Sequence, residues 1–321
     1  MNFVALRFIL IGSGLLIMAH YTHAQPSRIN VSLVMEGGSF PEHFPIPFKV
    51  EIANNTSHKV EMSPYNISDL PNTVLAIKFE GASVLPKSSP GLVETGAPDI
   101  TIQPDKTIIL TDYLQDYLQN LKPGKYKIPW YLRWEYVEHG GAATKQILAF
   151  RGMLDFTITN ADPSELNSYI SRKLEVVQGS TDPEAKKQAA IDISLISDPA
   201  VVPALLSLKN LGYEFEVLNA ARRLPEPAAS HVLTAIATES QNPGNVREAL
   251  DEMQRRGVQL PGESLSTLLS SENKWIEIEA IEYAVRAHRR EFLTFIEKLA
   301  NANDADVKAA AKNALGKLGE E

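Results

Sequence analysis

Five short segments of the second half of this chain carry an alanine at the same place: QAAIDI, NAARRL, EALDEM, EAIEYA and AAAKNA. Their anchors are Ala189, Ala220, Ala249, Ala280 and Ala310, separated by 31, 29, 31 and 30 residues. The residue after each anchor is Ala190, Ala221, Leu250, Ile281 or Ala311, and the residue four later is Ile193, Leu224, Met253, Ala284 or Ala314. A small side chain at a fixed point lets a neighbouring helix approach closely, and the apolar residue one turn on continues the buried stripe. Self-similarity at a period near 30 residues predicts stacked supersecondary units rather than one closed core.

Each of these helices has a predicted helix before it. The candidates are Ser164–Gln178, Ala200–Leu208, Ala228–Glu239, Glu263–Leu269 and Glu291–Ala300. Proline and aspartate punctuate the series at Asp162-Pro163, Asp182-Pro183, Asp198-Pro199, Pro225-Glu226-Pro227, Asn242-Pro243-Gly244 and Leu260-Pro261-Gly262, as helix starts require. Five helix pairs result. DPAVVPALLSLKN (Asp198 to Asn210) and DADVKAAAKNALGKLG (Asp304 to Gly319) resemble HEAT repeats, closest to the short form of phycobilin-lyase-like HEAT proteins. The middle repeats depart from that pattern, with Leu250 in place of an alanine and Lys186 or Glu277 in place of the usual valine. The resemblance covers Pro163 to Glu321 and implies an α-solenoid that binds proteins, without lyase activity. The last helix is expected to pack through Ala310, Ala311, Ala314, Leu315 and Leu318 and to close the array.

The first half follows a different rule. Ile46, Phe48, Val50 and Ile52 alternate with polar residues, as do Leu75, Ile77 and Phe79. In KYKIPWYLRWEY the residues Tyr126, Ile128, Trp130, Leu132, Trp134 and Tyr136 share one face. Period-two alternation predicts strands with one buried face. About seven strands between turn clusters predict an antiparallel β-sandwich. Leu121-Lys122-Pro123-Gly124-Lys125-Tyr126 resembles the tyrosine corner of immunoglobulin-like sandwiches, which implies that the Tyr126 hydroxyl bonds back to the chain. The aromatic row is expected in the core; a glycan-binding platform would need two of Trp130, Tyr131, Trp134 and Tyr136 exposed side by side.

The N-terminus, MNFVALRFILIGSGLLIMAHYTHA, places one arginine before an apolar run and small residues before Gln25. It reads as a secretory signal peptide, residues 1–24, cleaved after Ala24. The expected order is then an immunoglobulin-like sandwich over 25–160 and a HEAT-like solenoid over 161–321. No membrane span is expected after cleavage. The location expected is outside the cytoplasm, periplasmic or secreted. The chain contains no cysteine, so disulfides, thiolate metal sites and thiol nucleophiles are excluded. Sequons stand at Asn30, Asn54 and Asn66. Without residues 1–24, 30 basic side chains face 39 acidic ones, a balance that argues against nucleic acid as partner.

Nothing in the sequence supplies H-E-x-x-H, G-x-S-x-G, a P-loop or a dinucleotide fingerprint. Glu42-His43 and Glu138-His139 stand in predicted loops, where a metal site would need further ligands. No cofactor and no catalysis are expected. The candidate binding residues are basic and lie on or near the second helices: Lys186, Lys187, Arg222, Arg223, Arg247, Arg255, Arg256, Arg286, Lys308 and Lys312. Such a strip could grip an acidic peptide or offset helix dipoles. The leading expectation is an exported, non-enzymatic scaffold for a protein partner. A glycan-binding accessory module and an enzyme with a site between the halves are the alternatives; a pocket gathering His, Glu and Arg from both halves would favour the latter.

Overall fold

The computed structural model describes residues 29–35, 37–62, 75–79, 100–116, 118, 121–138 and 144–319. The expected signal peptide and the sequon at Asn66 lie outside the described residues. The strands are β1 (Ile29–Met35), β2 (Ser39–Pro41), β3 (Pro47–Asn54), β4 (Val60–Met62), β5 (Leu75–Phe79), β6 (Ile100–Ile102), β7 (Lys106–Tyr113), β8 (Gly124–Glu138) and β9 (Thr144–Thr159). They form a three-stranded sheet ordered β1-β3-β7 and a second sheet ordered β2-β9-β8-β4-β6, with β5 also paired to β8. All pairings are antiparallel except β2 with β9. The wholly antiparallel expectation is corrected there: Ser39–Pro41 runs alongside Thr157–Thr159 because the chain leaves β1 and crosses to the other sheet's edge.

The alternation sets what is inside. Phe48, Val50 and Ile52 of β3 are fully buried, and they share one cluster with Ile128, Trp130, Leu154 and Phe156 of the other sheet. Tyr126 does what its corner implies. Its hydroxyl donates to the Lys122 carbonyl at 2.7 Å and accepts from the Lys122 amide at 2.8 Å, while its ring stacks on Phe156 at 5.3 Å. Trp130 is buried and faces Gly152 across the β8–β9 ladder. A Cβ at Gly152 would stand 2.5 Å from the indole, so only glycine leaves room for that ring. Asn54 is also inside. Its amide donates to the His58 and Ile102 carbonyls, each at 2.9 Å, so this sequon nitrogen is enclosed by the fold.

Helices fill the second half: α1 (Pro163–Gly179), α2 (Pro183–Ser194), α3 (Val202–Asn210), α4 (Glu214–Ala221), α5 (Ala228–Glu239), α6 (Pro243–Arg255), α7 (Gly262–Leu268), α8 (Lys274–Arg286), α9 (Leu293–Leu299) and α10 (Ala305–Gly319). Consecutive helices pack as pairs, and α2, α4, α6, α8 and α10 pack each on the next in a row. The anchors Ala189, Ala220, Ala249 and Ala280 are all buried, and Ala310 at the end is partly so. In α10 the buried stripe is Val307, Ala311, Ala314 and Leu318, with Ala310 and Leu315 at its margin. Asx side chains start most second helices: Asp182, Asn242, Asn273 and Asp304 accept from the amide two residues on, at 2.9 to 3.1 Å. Among the described residues no helix is long and apolar enough to cross a membrane.

The two halves meet around Asp192, which is buried on α2. It receives Lys173 Nζ at 2.5 Å, the Tyr113 hydroxyl at 2.7 Å and Gln188 Nε2 at 3.1 Å. Tyr113 ends β7, so this carboxylate joins a sheet to the first helix pair. Phe44 packs on Tyr169 beside it, with ring centres 5.2 Å apart. Burial, then the neighbouring Asp192 carboxylate, pushes the Tyr169 hydroxyl well above its ordinary value. That hydroxyl stays protonated in the fold where an unfolded tyrosine ionises, at about pH 10, so its share of stability is intact below that pH and is lost as pH rises beyond it.

Two outcomes are expected. Gly152→Ala should destabilise the chain by about 1–3 kcal/mol, read by urea unfolding, because the indole must shift. Raising the pH from 9 to 11 should lower the melting temperature of the parent chain more than that of Tyr169→Phe, which has no hydroxyl to ionise.

Candidate functional site

The second helices and their C-terminal ends carry the candidate residues, and the structure shows what the arginines among them contact. Arg222 pairs with Glu248 at 3.0 Å, and Arg247 and Arg286 share Asp251 at 3.7 and 2.8 Å. Arg255 and Arg256 both clamp Glu252, a carboxylate only 5% exposed. Burial alone would raise the Glu252 carboxyl, but hydrogen bonds from the two guanidiniums outweigh it and hold the group below the usual carboxylate range. Arg256 also donates to the carbonyls of Ala221, Arg222 and Leu224 at 2.9 to 3.0 Å. Arg223 donates to the carbonyl of Ser194 at 3.4 Å and that of Asn219 at 3.1 Å. These arginines therefore sit at the carbonyl ends of α2 and α4, where a positive charge offsets the helix dipole. Lys186 and Lys308 are half-buried, while Lys187 and Lys312 are exposed.

The ten residues thus fall on one row of helices, as expected, but they do not make an open basic strip. Five of the arginines, Arg222, Arg247, Arg255, Arg256 and Arg286, are in ion pairs. Arg289, absent from the sequence-based set, acts likewise. It is 7% exposed and donates to the Leu260 carbonyl at 2.6 Å and to Glu291 at 2.5 Å.

What the row does offer is a groove of about 1160 Å³ across the starts of α4 and α6. Its position follows from a break in the repeat. Where an Asx residue would begin α4 stands Tyr213, which makes no side-chain cap, after Gly212 at φ 92°. Glutamates take over. Glu214 accepts from Ser240 Oγ at 2.6 Å and from Asn245 Nδ2 at 2.5 Å, tying the start of α4 to that of α6. Leu211 in the turn and Phe215 just after it are on the surface, 47% and 49% exposed. Phe215, Glu216 and Glu214 line one side of the groove, with Lys187 and Arg223 also in its lining. Glu239 and Glu248 at its edge are neutralised by Lys209 and Arg222. The groove has an aromatic anchor point, carboxylates beside it and cations beyond, which suits an extended polypeptide better than a uniformly anionic one.

A second cavity, about 350 Å³, lies between the halves. Glu42, His43 and Lys122 come to it from the strand half, and Ser197, Arg222 and Arg223 from the helical half. This is the gathering of His, Glu and Arg that the sequence left open. Among the described residues, no three His, Cys, Asp or Glu side chains are placed to hold a metal ion.

No family model and no curated protein matches the chain. Among solved structures, a point mutant of Salmonella alpha-2-macroglobulin is 11% identical, over 92% of this chain and 22% of that one, with a TM-score of 0.21. The same Salmonella protein reacted with methylamine is 10% identical, over 91% of this chain and 22% of that one, at 0.20. Astrotactin-2, a conserved vertebrate-specific and perforin-like membrane protein, is 10% identical, over 68% of this chain and 38% of that one, at 0.16. The chain spans well under two thirds of the length of each, and at these scores none carries an argument.

Arg256→Ala should cost about 3 kcal/mol in urea unfolding, because it strips a buried carboxylate and the carbonyls at the end of α4. Lys187→Ala, on an exposed side chain, should change stability by less than about 0.5 kcal/mol.

Proposed function

We propose that this chain is an exported interaction protein, an immunoglobulin-like sandwich followed by a HEAT-like solenoid, that holds a protein partner in the groove at the start of α4. Several observations support the architecture. Residues of both sheets share one buried cluster, Tyr126 closes a tyrosine corner, and paired helices stack through alanines that recur about every 30 residues. Export rests on the N-terminal sequence, and a periplasmic or secreted location goes with it.

One observation carries the functional reading. Among the described second helices, α4 is the one with no side-chain cap at the repeat position, and Phe215 near its start is half exposed in the lining of the groove. Trp275 holds the same place at the start of α8 and is 54% exposed, with Lys274 over its ring at 4.8 Å, whereas Phe215 lines the groove, where a partner segment can cover it. The partner expected is an extended polypeptide that seats an apolar side chain on Phe215 and directs donors to Glu214 and Glu216. This revises the acidic-peptide expectation, because five of the arginines that motivated it are held in ion pairs within the array. The glycan reading loses support from Trp130, which is 6% exposed, and Tyr131 on the other face is covered in part by Arg151 at 5.4 Å. The side chains of Trp134 and Tyr136 lie outside the described residues.

Selection of a displayed random-peptide library on the mature chain would test the groove. Enriched peptides should carry an apolar residue near basic or amide side chains, and Phe215→Ser should weaken them at least tenfold while the melting temperature holds. Peptides that bind Phe215→Ser as tightly as the parent would remove the groove from the reading.

A further inference from the structure

The junction pocket holds chemistry that packing alone does not call for. Its walls include the buried side chains of Ile46, Leu118, Leu195 and Leu224. On the same lining, His43 Nδ1 and Ser197 Oγ are 3.0 Å apart, although 154 residues separate them in sequence. The other ring nitrogen, Nε2, faces Glu42 Oε1 at 3.8 Å and Asp198 Oδ2 at 3.9 Å. Ionised carboxylates only accept hydrogen bonds, so they favour the tautomer with its hydrogen on Nε2. Nδ1 is then an acceptor for the serine hydroxyl, the state in which an imidazole can take a proton from a nucleophile.

The surroundings hold this arrangement in place. His43 sits at φ 71°, a left-handed backbone that a residue with a Cβ adopts at a cost. Gln115 pins the segment that follows, accepting from the Ile46 amide at 3.0 Å and donating to the Phe44 carbonyl at 2.6 Å. Asp198 is fixed by the Ala200 amide at 2.8 Å, and Glu42 by Lys122 at 3.0 Å. A nucleophile, a base within hydrogen-bond reach and carboxylates behind the base meet at one pocket whose lining is about half apolar side chains and half polar ones.

We infer that this pocket is a hydrolytic site for small esters with an apolar acyl group. Ser197 Oγ attacks the ester carbonyl carbon as its proton passes to His43 Nδ1. The C–O bond to the alcohol then breaks, and His43 returns the proton to the departing alkoxide, which leaves an acyl-Ser197. Water, deprotonated by His43, attacks that acyl carbon and releases the carboxylic acid, and Ser197 recovers its proton. Arg222 and Arg223 line the same pocket, and their positive charge, although engaged by Glu248 and by backbone carbonyls, favours an anionic oxygen there. Glu42 and Asp198 are positioning residues that act through His43. The nucleophile and base come from different halves, so the site exists only while the halves are docked. Ser197 precedes a helical turn rather than ending a strand, so no G-x-S-x-G surrounds it.

The full mature chain should be incubated with a fluorophosphonate probe and, separately, with p-nitrophenyl butyrate. Mass spectrometry is expected to find the phosphonate on Ser197 of the folded chain. Hydrolysis should fall at least 100-fold in Ser197→Ala and in His43→Ala. Glu42→Gln should lower kcat with KM unchanged. Phe215→Ser should keep full labelling, since the groove reading and this one rest on different residues. Absence of a Ser197 adduct in the parent chain would overturn the inference whatever the variants do, and so would a Ser197→Ala chain that hydrolyses the ester at the parental rate.

Discussion

A pair of helices with one apolar face cannot remain in water alone, and the close contact made by buried alanines is how this chain answers that constraint. Ala189, Ala220, Ala249 and Ala280 bring successive second helices together along a row. Much of what else is distinctive in the helical half follows. Close helix ends bring carbonyls of one pair within reach of arginines on the next, so Arg223 and Arg256 become part of the stack. Carboxylates drawn into the row, Glu252 above all, must then be matched by guanidiniums, since an unpaired buried charge is costly. Most arginines of the row are spent on cohesion, and the groove lies where the start of α4 departs from the repeat.

The same logic operates at the junction. Asp192 lies on the face of α2 toward the strand half and is buried with three donors around it. A carboxylate so enclosed tolerates little change in the position of those donors. It therefore sets how β7 sits against α1 and α2, and with it the placement of the loop that carries His43. The geometry at Ser197 depends on a charge on α2, the helix that ends three residues before it.

Local rules made most of the fold legible. Period-two alternation located β3, β5 and β8, and proline after Asp or Asn marked the starts of α1, α2 and α6, because these signals act within a few residues. The Tyr126 corner was readable for the same reason, since its partner Lys122 is four residues away. What escaped was nonlocal. Arg222 finds Glu248 after 26 residues, Arg286 finds Asp251 after 35, and Tyr113 finds Asp192 after 79. No pattern in one chain announces such pairs, so the arginines read as free cations. The groove was missed although a signal existed: Tyr213 stands where the other second helices have Asp or Asn. His43 was noticed only as a loop histidine, because Ser197 becomes its neighbour through folding alone.

The carbonyl contacts of Arg223 and Arg256 point one way along the chain. Each arginine belongs to a later helix pair and completes the end of the pair before it. During synthesis, which proceeds from the N-terminus, an emerging pair is finished only when its successor arrives. A truncation that removes the later pair leaves those backbone oxygens to water. A truncation from the other side releases a guanidinium, which water solvates readily. These two steps of the array therefore have a polarity: the later pair supplies the donors and the earlier pair the acceptors.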